Sequence, residues 1–139
     1  DGSASVGATP LAIVLEPSRD LAEQTYQCIN DYKKYMPAPK IQSLLAVGGV
    51  DMGVQVRELK NGVHVVVGTP GRIEDLIKSG KLSCAKVRYL ILDEADRLLE
   101  TGNLNTIMNI YARLNKSRTG SDRLQSLMFS ATLHSPEIK

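Results

Sequence analysis

The stretch Tyr89-Leu90-Ile91-Leu92-Asp93-Glu94-Ala95-Asp96 decides how this chain is read. An apolar run that begins at Val87 stops abruptly on three carboxylates. The apolar part has the length and aliphatic content of a buried parallel strand. In open α/β sheets, ligands bind beyond the carboxyl ends of the strands, where these acids fall. Adjacent acids repel each other, so stability alone does not favour them there. One reading is an acidic start to a helix, favoured by the helix dipole. The other is a site for a divalent cation bound to a polyphosphate, with an Asp to hold Mg²⁺ and a neighbouring Glu to activate water.

Moving outward, apolar runs alternate with segments of helical spacing. Leu11 to Leu15 is a wholly apolar strand ended by Pro17, with Ser18 placed to cap a helix from Arg19 to about Tyr35. On that helix Leu21, Ala22, Tyr26, Ile29 and Tyr32 recur at helical intervals, and Pro37 and Pro39 stop it. Ile41 to Val47 is a second strand, closed by Gly48-Gly49. A helix from Met52 to Leu59 follows, with Val56 and Leu59 as its inner face. Val63 to Val67 is a third strand, stopped by Gly68. Thr69-Pro70-Gly71-Arg72 opens the next helix, with Pro near its start. The acidic strand is the fourth. A helix from about Asn103 to Leu114, a polar loop from Lys116 to Asp122 and a fifth strand from Leu124 to Phe129 complete the order. From Ser135 the tail begins a further helix. Residues 1–9, rich in Gly, Ser and Ala, read as a linker, and residues 10–139 as one unit. This alternation implies an α/β fold, a mostly parallel five-stranded sheet with helices on both faces.

Composition excludes several classes. The chain has 139 residues, enough for a single core, and 42% of them are hydrophobic. No apolar run is long enough to span a bilayer and no signal-peptide pattern opens the sequence, so no membrane partner is expected. The net charge of +2 does not announce a nucleic-acid binder. Any such binding must come from local Arg residues and backbone N–H groups. Cys28 and Cys84 are far apart and belong to no metal-ligating pattern, which fits a reducing, intracellular setting, nucleus or cytoplasm. With no Trp and only Phe129 as phenylalanine, the core must be built from Leu, Ile and Val.

The chemistry sits at the strand ends. These carry Pro17-Ser18-Arg19-Asp20, Gly48-Gly49, Thr69-Pro70-Gly71-Arg72, Asp93-Glu94-Ala95-Asp96 and Ser130-Ala131-Thr132. A parallel sheet brings such ends to one rim, where helix N-termini with Gly, Ser and Thr bind phosphates through backbone N–H groups. Arg19 and Arg72 can add charge-assisted bonds. One such turn is ordinary turn chemistry. Five together are hard to explain that way.

These motifs, in this order and spacing, resemble the first RecA-like domain of DEAD-box ATP-dependent RNA helicases over roughly residues 11–139. Asp93-Glu94-Ala95-Asp96 spells the family name, and Pro17-Ser18-Arg19-Asp20-Leu21-Ala22 resembles its Pro-Thr-Arg-Glu-Leu-Ala motif with two mild departures. The Ser-Ala-Thr-Leu-His-Ser ending and the Gly-Lys-Leu before the acidic strand look most like the subfamily whose first domain is interrupted by a SPRY domain. The resemblance implies ATP and Mg²⁺ as cofactors, and RNA and a second RecA-like domain as partners. It implies that Asp93 holds Mg²⁺ through water and Glu94 positions the attacking water. Asp96 would bond Ser130 and Thr132, coupling nucleotide to RNA. Arg19, Gly49, Thr69, Gly71 and Arg72 would line the RNA backbone path, with Gln24 a possible support. His64 is expected to be a satisfied core or edge residue, and Tyr26, Tyr32 and Tyr35 to pack.

The family's Gly-x-Gly-Lys-Thr phosphate loop does not occur in these residues, so the stretch by itself is expected to be a partial domain without RNA-stimulated ATPase activity. The implied strand order is 5-4-1-3-2. That order leaves the fifth strand as an apolar edge, expected to self-associate or to be covered by Gly2 to Thr9. A non-catalytic RNA-binding protein on the same fold is the alternative, and retention of Glu94 favours the enzyme. A DNA helicase of a related group is a second alternative.

Overall fold

The structure is a computed structural model that describes residues 10–35, 41–49, 52–60, 62–84, 87–114 and 125–128. Its strands are β1 (Ala12–Leu15), β2 (Ser43–Ala46), β3 (Val65–Gly68), β4 (Tyr89–Leu92) and β5 (Gln125–Met128). The helices are α1 (Arg19–Lys33), α2 (Met52–Lys60), α3 (Pro70–Lys78), α4 (Ala95–Glu100) and α5 (Leu104–Leu114). Among the described residues the sheet has five strands in the order β2-β3-β1-β4-β5. All its pairings are parallel, and the order is the one the family resemblance implies, read from the other edge.

Local chemistry explains the starts and stops. Ser18 is extended, and its hydroxyl accepts the Leu21 N–H at 3.3 Å to cap α1. Asp20 in the first turn and Lys33 in the last complement the helix dipole. Pro70 opens α3, where its missing N–H costs nothing. Strands β1 and β3 are short apolar runs buried on both faces after their first residue, as parallel strands are, whereas β2 and β4 alternate half-buried and buried positions.

The core has two unequal layers. On one face, α1 packs Ala22 against Val14, Val47 and Val67. On the other, Ile13, Leu15, Leu44, Val66, Leu90 and Leu92 meet side chains from α2, α3, α4 and α5. Leu59, Ile73, Leu76, Leu98, Ile110 and Leu114 are all at most 1% exposed there. Each such side chain contributes about 1.5–3 kcal/mol relative to an exposed one, so this larger layer holds most of the fold's stability.

Three expectations change. Tyr32 and Tyr35 do not pack: they are 75% and 84% exposed. Helix α1 instead turns Ala22 and Thr25 inward, because Thr25 finds a buried acceptor in Glu16. Cys28, on the same helix, is exposed. The expected single helix after the acidic strand is two, since Gly102 at φ 82° breaks the chain between α4 and α5. His64 lies just before β3 and is exposed, but it is satisfied: Nδ1 accepts the Gln42 N–H at 3.0 Å. Among the described residues, β5 stands at the end of the sheet order, the place expected of an edge. Segments 1–9, 115–124 and 129–139, with their expected linker, polar loop and tail helix, lie outside the described residues.

Candidate functional site

The strand ends are level. Leu15 stands opposite both Gly68 and Leu92, and Ala46 opposite Gly68. Backbone bonds stitch the next residues at that height. The Glu16 N–H donates to the Gly68 carbonyl at 2.9 Å, Asp93 N–H to Leu15 at 3.1 Å, and Thr69 N–H to Ala46 at 3.2 Å. Glu16, Thr69 and Asp93 therefore emerge side by side on one rim. The β2–β3–β1 side of that rim carries Gly48, Gly49, Thr69, Gly71, Arg72 and Arg19. The β1–β4 side carries Glu16, Asp93 and Glu94. Strand order thus sorts the rim into a basic, glycine-rich half and an acidic half.

The acidic half is the more constrained. Asp93 is fully buried. Glu94 follows it at φ 57°, ψ 50°, the one described non-glycine residue in the left-handed region, and serves as N-cap of α4 without a side-chain bond. That conformation costs about 1–2 kcal/mol for a residue with a Cβ, and glycine or asparagine would adopt it more cheaply. Asp96 is exposed in the first turn of α4. Its expected partners, Ser130 and Thr132, lie outside the described residues.

Glu16 belongs to the same cluster. It is fully buried, and its Oε2 accepts the Thr25 hydroxyl proton at 2.5 Å. Burial pushes its carboxyl pKa up to about 9, reinforced by a hydrogen bond with Asp93 and by the charges of Asp93 and Glu94, while the Thr25 bond opposes the shift. Burial disfavours the charged form, and a neighbouring carboxylate disfavours it further. Sequence reasoning missed Glu16 because it looks like the last residue of an apolar strand before Pro17. Its signal was an acid inside a wholly apolar run.

In the basic half, Arg19 folds onto the Gly48-Gly49 turn. Its Nε donates to Glu23 Oε2 at 2.9 Å and its Nη1 to the Gly48 carbonyl at 3.4 Å. Gly49 has φ 87°, and a Cβ there would lie 2.6 Å from Arg19 Nη1. The backbone favours glycine at 49, and a side chain there would push the movable end of Arg19 aside. Gly71 differs: it is exposed in the first turn of α3, its φ lies outside the left-handed region, and a Cβ would meet nothing within 4 Å. Nothing in the fold demands glycine at 71. Arg72, half-buried, donates from Nη1 to Gln55 Oε1 at 2.9 Å. Gln24 is exposed on α1, without a described role on the rim.

Ordered motifs on one rim, at the ends of the strands expected to carry them, are what comparison with known proteins can test. The family model for the DEAD/DEAH box helicase matches residues 5–139. The chain belongs to the DEAD/DEAH box helicase family. It is 49% identical to the ATP-dependent RNA helicase DDX1 of Xenopus laevis over 144 aligned residues, covering 99% of this chain and 20% of that protein. It is 45% identical to Ddx1 of Drosophila melanogaster, covering 94% of this chain and 18% of that one. Likeness to these two proteins is consistent with the finer subfamily resemblance. Among solved structures, a DEAD box protein from the hyperthermophile Methanococcus jannaschii superposes with a TM-score of 0.74 at 33% identity. It covers 89% of this chain and 32% of that one. The yeast DEAD-box splicing factor Prp28 gives 0.76 at 28% identity, covering 93% of this chain and 29% of that one. The chain therefore spans about a fifth of the length of the curated relatives it matches. Among the described residues, no helix is long and apolar enough to cross a membrane.

Proposed function

We propose that this chain is the part of an ATP-dependent RNA helicase that supplies the acidic half of its nucleotide site and a share of its RNA path. One observation carries the reading. Glu94 keeps a carboxylate in a left-handed conformation, next to a fully buried Asp93, where backbone preference would choose glycine. A residue held against its own preference at a ligand-binding strand end points to chemistry at that position.

Mg²⁺ fits the donor set. The groups at the acidic strand ends are hard carboxylate oxygens. Among the described residues no group of three or more His, Cys, Asp or Glu could hold a metal alone. Mg²⁺ is commonly held by one or two carboxylates, with water and substrate phosphates completing its shell. Asp93 would hold it through water, and the bound ion would supply neutralisation of phosphate charge. Glu94 would orient the attacking water and accept its proton. Asp96 would link this half to Ser130 and Thr132, and a second RecA-like domain would complete the site.

On the basic half, Arg19 and Arg72 would contact RNA phosphates, alongside Gly49, Thr69 and the open first turn of α3 at Gly71. Contacts to the backbone alone read little sequence. The test is Glu94→Gln in the full-length protein. ATP and RNA binding should persist while hydrolysis falls by about 10²–10⁴-fold, the usual worth of a general base. A variant that hydrolyses ATP at the normal rate would sink the assignment of Glu94. In the same protein, Arg19→Ala should weaken binding alike for RNAs of different sequence. A loss confined to one sequence would mean base readout instead.

A further inference from the structure

Helix α2 carries a buried amide that its apolar face does not need. Gln55 is 1% exposed, one turn before Leu59 on the inner side of the helix. Burying an amide costs free energy unless its hydrogen bonds are made, and leucine would fill similar space without that cost. Here the bonds are made. Nε2 donates to the Leu45 carbonyl at 3.3 Å and to the Val47 carbonyl at 3.1 Å, and Oε1 accepts from Arg72 Nη1 at 2.9 Å. The orientation of the amide is set by its partners, because carbonyls can only accept and a guanidinium can only donate. Reversing it would break all three bonds.

Leu45 lies within β2, and the other two partners flank two different turns. Val47 immediately precedes Gly48-Gly49, the turn onto which Arg19 folds. Arg72 stands in the first turn of α3, at the end of β3. We propose that Gln55 is a positioning residue for RNA: it ties the Gly48-Gly49 turn to Arg72, so that the two turns present their phosphate donors at one fixed spacing. An untethered arginine side chain samples many rotamers, and a bond to one of its nitrogens restricts them before ligand arrives. The inference rests on the reading of Arg72 as a phosphate contact, and the experiment separates the two.

The assay is fluorescence anisotropy with labelled oligouridylate, on the full-length protein with a non-hydrolysable ATP analogue and Mg²⁺, titrated at several salt concentrations. Four variants are compared with wild type: Arg72→Ala, Gln55→Met, Gln55→Asn and Gln55→Met combined with Arg72→Ala. Gln55→Met keeps length and packing and removes the amide nitrogen and oxygen that make all three bonds. Gln55→Asn keeps the amide but is one methylene too short to bridge, and serves if the Met variant does not fold. Arg72→Ala should weaken binding about tenfold, the scale of one charge-assisted bond. It should also lower the salt slope by about 0.7, one phosphate on a single strand. Either folded Gln55 variant should reproduce a substantial part of both changes. The double variant should bind within about twofold of Arg72→Ala, since Gln55 acts through Arg72. A Gln55 variant that lowers Tm but leaves affinity and salt slope unchanged would make Gln55 a purely structural tether and overturn the inference alone. So would a double variant showing the full product of the two losses. If Arg72→Ala itself leaves RNA binding unchanged, the phosphate reading of Arg72 falls, and the role of Gln55 with it.

Discussion

Replacing Glu16 by Gln should change how stability depends on pH. Glu16 is fully buried beside Asp93, with its pKa raised from 4.5 to about 9 by burial first and then by Asp93. In the unfolded chain the carboxyl titrates near its ordinary value. Between those two pKa values the folded state binds a proton that the unfolded state has released. Stability therefore falls as pH rises across this window, by up to about 1.4 kcal/mol per pH unit. From pH 6 to pH 8 the loss approaches about 3 kcal/mol, a large share of a typical 5–15 kcal/mol. Gln is neutral at every pH and can still accept the Thr25 hydroxyl proton. Glu16→Gln should thus be close to wild type near pH 5 and increasingly more stable above it. Urea unfolding of both chains at pH 5, 6, 7 and 8, with a chelator to remove Mg²⁺, reads the difference, and common titrations cancel. Parallel stability curves for the two chains would refute the reasoning: Glu16 would then ionise alike in folded and unfolded states.

Three further outcomes follow from local geometry. At Gly68 a Cβ would stand 2.0 Å from the Ala46 carbonyl oxygen, which is backbone and cannot swing aside. Gly68→Ala should cost about 1–3 kcal/mol or more, seen as a lowered urea midpoint, and an unchanged midpoint would contradict the close approach of β2 and β3. Gly49→Ala should lose about 1–2 kcal/mol of stability to left-handed strain and also weaken RNA binding by displacing Arg19; loss of stability without loss of binding would uncouple the turn from RNA. Ser18→Ala should cost about 1 kcal/mol through the lost cap on α1, measured by the same unfolding, and a smaller loss than a few tenths would mean water replaces the hydroxyl.

Much of the fold was legible because its signals are local. Alternating apolar runs and helical spacings located nine of the ten elements of the observed order. The run ending on Asp93 marked a strand, β4, whose end lies on the candidate rim. The α4 helix was hidden because Ala95–Glu100 is only six residues, too short for a period to emerge, and a single left-handed glycine at 102 separates it from α5. The motifs on the strand ends named the family, since order and spacing along the chain are themselves sequence properties. What the chain's linear pattern could not contain is which side chains meet across the sheet. Glu16 faces Asp93 because β1 and β4 are neighbours in register, although 77 residues separate β1's Leu15 from its partner Leu92. Gln55 reads as one more polar helix residue until α2 is laid against β2 and the β2–β3 pairing brings Arg72 within reach of its amide. Burial, and with it the raised pKa of one acid and the cost of one amide, is a property of that packing. Only the tertiary structure makes Glu16 and Gln55 part of the site.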